Sequence, residues 1–99
     1  MTRIELVSEV LDDFDRFIEH MARFEVADVP KRLEEIMQAI EILGHSPLIG
    51  RPVKGGKREL LVGSGSRAYV ALFRYLTDID TVFVLALRSQ REVGYKRKT

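Results

Sequence analysis

The chain has 99 residues, 45% hydrophobic and 31% charged, with no cysteine and a formal net charge of +1. That length supports a single domain, 1–99, with one core; the missing cysteines exclude disulfides and thiolate metal centres, and no apolar run approaches the ~20 residues that cross a bilayer. The small net charge conceals a division: residues 1–45 hold eleven acidic against five basic side chains, and residues 46–99 four against eleven, or −6 and +7.

Ile4 and Leu6 flank Glu5 and predict a short strand from Arg3 to Val7. Ser8 is then an N-cap, with Glu9, Asp12 and Asp13 near the positive end of the helix dipole. Val10, Leu11, Phe14, Phe17, Ile18 and Met21 recur at helical spacing and predict a helix to about Arg23. A second helix starts near Asp28, where Pro30 fits only the first turn. Leu33, Ile36, Met37, Ile40 and Leu43 form its stripe, and Gly44 is expected to stop it. The short join from Phe24 to Ala27 predicts an antiparallel helical hairpin.

SPLIGRPVKGG, from Ser46 to Gly56, reads as a loop because its prolines and glycines oppose regular structure. Three strands are predicted after it: Lys57 to Val62, Arg67 to Leu76, and Thr81 to Arg88. The joins GSGS (63–66) and TDID (77–80) read as hairpin turns. If Asp78 and Ile79 form a two-residue loop, Tyr69 stands across from Arg88, and a different turn length exchanges the faces. The fold class is α+β: an N-terminal strand and a helical hairpin packed on a twisted antiparallel meander sheet. The last two strands are apolar at both parities, so the sheet is expected to leave one greasy face uncovered.

Few residues suggest catalysis. His20 and His45 lack partners at metal-ligand spacing and suit surface or capping roles. The neighbours Asp12/Asp13 and Glu34/Glu35 point apart on their helices and read as solvated faces. GSGS precedes a strand, so it lacks the helix N-terminus of a phosphate loop. Arginine remains. Arg58, Arg67, Arg74, Arg88 and Arg91 lie on or beside the three late strands, with Lys96, Arg97 and Lys98 following and Tyr69, Tyr75 and Tyr95 interleaved. Such a set suits phosphate or an acidic protein, with ordinary solubilising charge as the alternative.

Four segments carry a resemblance: IGRPV (49–53), KRELLVG (57–63), AYVALFRY (68–75) and TVFVLALRSQREVGY (81–95). In that order, after a second helix ending in Leu-Gly-His-Ser-Pro, they resemble the RelE/ParE superfamily of toxins from type II toxin–antitoxin, plasmid stabilisation-like systems. The resemblance implies the fold derived above and a cognate antitoxin that wraps and neutralises the chain in a hetero-oligomer. It implies one of two targets. RelE-like members cut messenger RNA on the ribosome with a cluster of Lys and Arg and a C-terminal Tyr or His, whereas ParE-like members poison DNA gyrase.

Carried over by position, Arg58 matches one member of a basic pair, with Leu60 at the place of the second. Ala68-Tyr69-Val70 replaces Gly-Tyr-Arg, and Arg91 and Tyr95 stand for the late arginine and closing tyrosine, with Gln90 at the arginine's place in another alignment. RNA cleavage needs several converging cations and an acid, so this depleted set favours the ParE-like branch. The expected target-binding residues are Arg58, Arg67, Arg74, Arg88, Arg91 and Tyr95, with Arg58, Arg91 and Tyr95 catalytic under the nuclease reading, in which Arg74 also takes part. No metal, cofactor or membrane is expected, and a cytoplasmic setting is, since the N-terminus has no signal-peptide core. A non-toxic nucleic-acid-binding module is the third possibility.

Overall fold

A computed structural model describes residues 1–23, 29–63, 68–92 and 94–95. Its elements are β1 (Arg3–Leu6), α1 (Glu9–Arg23), α2 (Val29–Glu41), a 3-10 turn (Ile42–Gly44), β2 (Arg51–Val53), β3 (Lys57–Val62), β4 (Tyr69–Leu76) and β5 (Thr81–Ser89). One five-stranded sheet runs in the order β1-β5-β4-β3-β2. The meander is antiparallel as expected, but β1 lies parallel to β5, which makes the sheet mixed. The chain is therefore α+β, two helices on a five-stranded sheet. No helix among the described residues is long and apolar enough to cross a membrane.

The helices cover one face. Val10, Phe17 and Met21 of α1 and Ile36 and Ile40 of α2 meet Leu60, Val62, Ala71, Phe73, Val82, Val84 and Leu87 in the main core. Leu11 and Ile18, expected in the α1 stripe, instead stand 60% and 39% exposed, because the buried arc is centred between Val10 and Phe17. Asp13 takes a place in that arc and is 1% exposed, against its reading as a solvated residue.

Three local expectations change. Gly44 ends the helical region without a left-handed cap. It is small because a Cβ there would meet Met1 Cε at 3.2 Å and the Thr2 carbonyl oxygen at 3.4 Å. Within the expected loop 46–56, Arg51–Val53 pairs with β3 as an edge strand, where Pro52 can sit without disrupting a central ladder. Gly50 makes that pairing possible: its φ is +89°, and a Cβ would lie 2.2 Å from the Glu59 carbonyl oxygen.

The TDID join is a 3-10 turn (Thr77–Ile79) closed by the Asp80 amide donating to the Thr77 carbonyl at 3.1 Å. Asp80 adopts φ 46°, and its Oδ1 accepts from Thr2 Oγ1 and Tyr75 Oη, each at 2.7 Å. Near the turn the register follows the expected one, with Tyr75 across from Val82 and Phe73 across from Val84. A bulge between Leu72 and Phe73 then takes up Leu85, so Tyr69 faces Ser89 and Val70 faces Arg88. The predicted helix–helix join 24–27, the GSGS positions 64–66 and the start of the second late strand, Arg67, lie outside the described residues.

Candidate functional site

Strand alternation fixes what the second face carries. Arg51 pairs with Glu59, Glu59 with Leu72, and Leu72 with Ala86 across four strands. One step along, Val70 pairs with Arg88, and towards the other end Arg74 pairs with Phe83. The centre of this face is not bare. Val70, Leu72 and Ala86 are 6%, 4% and 0% exposed, which corrects the expectation of an open greasy face. Among the described residues, the exposed large apolar side chains of this face lie at its margin, Leu61 and Leu76, and Phe83 is half-buried.

The cover comes from the chain itself. Tyr95 Oη donates to Glu59 Oε2 at 2.6 Å, while its ring lies 5.3 Å from the Arg88 guanidinium carbon. Tyr95 thus bridges from the end of β5 to Glu59 of β3, on the face that carries Val70 and Leu72. Arg51 Nη2 donates to Glu59 Oε1 at 2.9 Å, and Arg88 Nη2 stands 3.9 Å from Glu59 Oε2. Burial pushes the Glu59 carboxyl up, but the Tyr95 hydroxyl, Arg51 and Arg88 outweigh it and hold the carboxyl below its usual range. Burial, and then the carboxylate of Glu59, push the Tyr95 hydroxyl far above the usual phenol range. It remains a proton donor at any physiological pH.

A second polar cluster anchors this cover. Beyond Val84, where the pairing with β1 ends, no strand among the described residues lies beside β5 on that side. Asp13 Oδ2 accepts from the Leu87 amide at 2.9 Å, and Arg16 Nη2 donates to the Leu87 carbonyl at 3.2 Å. Arg16 also joins Asp13 at 2.8 Å and the Glu92 carboxylate at 3.2 Å. Glu92 Oε1 accepts from the Ser89 amide at 3.3 Å. Side chains from α1 and the turn after β5 therefore satisfy strand-edge groups that would otherwise be left over.

The expected site residues do not converge. Arg88 and Tyr95 meet at the Glu59 hub. Arg74 lies on the same face but reaches the β2–β3 turn, where Nη2 donates to the Gly55 carbonyl at 2.6 Å. Arg58 pairs with Phe73 and so belongs to the helix-covered face, its Nη1 donating to the carbonyls of Leu48 at 3.0 Å and Gly50 at 3.4 Å. Arg91 is exposed in the turn after β5, and Arg67 is not among the described residues. His20 and His45 are exposed, and among the described residues no group of three or more His, Cys, Asp or Glu is placed to hold a metal ion.

The sequence reading overlooked Glu59, Asp13, Arg16 and Glu92. Signals in the sequence marked two of them. Glu59 is the one acidic residue between Glu41 and Asp78, and Asp13 sits three after Val10 and four before Phe17, inside the apolar arc.

The family model for the ParE toxin of the type II toxin–antitoxin system, parDE, matches residues 4–94. No curated protein matches the chain.

Proposed function

The chain belongs to the ParE toxin family of type II toxin–antitoxin systems, and from that premise we propose that it arrests growth by binding and inhibiting a cellular machine, DNA gyrase foremost, without cutting RNA. A cognate antitoxin neutralises it in a hetero-oligomer. One observation carries the choice between the branches: the cations that a nuclease would gather are dispersed. Arg58 is on the opposite sheet face from Arg88 and Tyr95 and is tied to loop carbonyls. The Tyr95 hydroxyl is engaged with Glu59 and its proton is held tightly, which suits neither a general base nor a free acid at a scissile phosphate.

Binding suits the arrangement better. Arg51, Arg74 and Arg88 frame the second face, and Leu61 and Leu76 offer apolar contact at its margin. An acidic antitoxin segment would find both kinds of contact there, beside the Tyr95 cover or after displacing it. Purified protein added to a gyrase supercoiling reaction should inhibit it, and its antitoxin should restore activity. Primer extension on translated messages should show no new 5′ ends after induction. Intact supercoiling at large excess of the protein, together with fresh 5′ ends that vanish in Tyr95→Phe, would reverse the assignment.

A further inference from the structure

We propose that the β2–β3 hairpin is a binding arm for the phosphate backbone of duplex nucleic acid, a contact that does not depend on which machine the toxin inhibits. The sequence from Arg51 to Arg58, RPVKGGKR, holds four cations and no acid, and Arg74 adds a fifth from β4. Two of these charges are fixed without being neutralised. Arg58 is held by the carbonyls of Leu48 and Gly50, and Arg74 by the carbonyl of Gly55. Neither makes an ion pair with a carboxylate among the described residues. A guanidinium anchored by neutral acceptors keeps its full charge and loses little further freedom when it meets an anion.

Position and shape add to charge. The hairpin is the outermost part of the sheet, since β2 ends the strand order opposite β1. The helix α1, which packs against β5, carries Glu9, Asp12, Asp13, Asp15 and Glu19, whereas residues 51–58 carry no acid. A molecule polarised in this way presents the hairpin first to a polyanion. The tip residues Lys54, Gly55 and Gly56 are all exposed, and no large apolar side chain is exposed between Arg51 and Lys57. An interface with an acidic protein has a desolvated apolar centre, which this tip lacks. A two-stranded ribbon, by contrast, fits the major groove, where phosphate contacts set position without reading sequence.

Fluorescence anisotropy with a labelled mixed-sequence DNA duplex of about 20 base pairs, titrated from about 50 to about 200 mM salt, tests the arm. With Arg51 already paired to Glu59, the intact chain should bind with a log–log salt slope of about −3, as expected for some three phosphate contacts from Lys54, Arg58 and Arg74. Lys54→Ala should flatten that slope by about 1, Lys54→Glu should weaken binding by about tenfold at the lowest salt, and Lys54→Arg should retain it. The exposure of Lys54 means that these variants should melt like the parent, so lost binding reports the contact. Absent binding at the lowest salt, a slope unchanged in Lys54→Ala, or displacement by poly-glutamate as effective as by unlabelled duplex would overturn the proposal. The last result would assign the arm to an acidic protein instead.

Discussion

The two faces of the sheet are built from the same three long strands yet closed by different physics. Under the helices, Phe73, Val82, Val84 and Leu87 have no exposure at all, and their neighbours are other apolar side chains. On the reverse, Leu72 and Ala86 are nearly as deeply buried, but the same face carries a tyrosine whose hydroxyl is held by one carboxylate set between two arginines. Dispersion and water exclusion close the first face irrespective of pH and salt. The second depends on the ionisation of Glu59. Substitutions on the first face should therefore change stability, and those on the second should change how stability responds to conditions.

The largest effect should come from Phe73→Ala, which leaves a cavity in the main core and should cost about 4 kcal/mol in urea unfolding. A cost under about 1 kcal/mol would mean that the helices pack loosely. Asp13→Ala should follow at about 3 kcal/mol, because it strips the Leu87 amide of its acceptor and takes from Arg16 the closer of its two carboxylate partners, leaving Glu92 and the Leu87 carbonyl. Tyr95→Phe should cost about 2 kcal/mol, the net worth of one hydrogen bond to a charged group. Its diagnostic is hydrogen exchange: amides beside Val70 and Leu72 should lose protection while those beside Phe73 keep it.

The pH dependence sharpens the contrast. Since folding lowers the Glu59 pKa, its contribution is complete above the ordinary carboxylate value of 4.5 and is lost as pH falls through the depressed one. Acid unfolding should thus be blunted in Glu59→Gln relative to the parent; superimposable acid profiles would show that the hub contributes nothing on folding. The smallest effect belongs to Leu61→Ser, at 55% exposure, which should stay within about 0.5 kcal/mol and yet weaken antitoxin binding if the margin of this face is used.

Periodicity made the helices and the meander legible, because each depends on residues near one another in sequence. β2 was hidden because a three-residue edge strand containing Pro52 has no apolar alternation, and its pairing rests on Gly50 approaching the Glu59 carbonyl. The parallel pairing of β1 with β5 joins residues 78 apart, as Arg3 with Thr81, which local pattern cannot encode. The candidate site was half visible. Arg88 and Tyr95 stand out as types that make interfaces, but the residue that unites them is an acid, Glu59, which carries no interface signal of its own. The register slip at the bulge also mattered, since without it Arg88 would share a face with Tyr69 and never reach Tyr95.

The pair formed by Asp13 and Arg16 has a consequence for how this molecule behaves in a crowd. By offering a carboxylate to the Leu87 amide and a guanidinium to its carbonyl, one helix imitates the ladder of an absent sixth strand. No neighbour can zip onto that margin without first evicting both side chains, and on the far margin Pro52 withholds a donor. Growth of the sheet by strand addition is thereby obstructed at these two places, the end of β5 and the β2 margin.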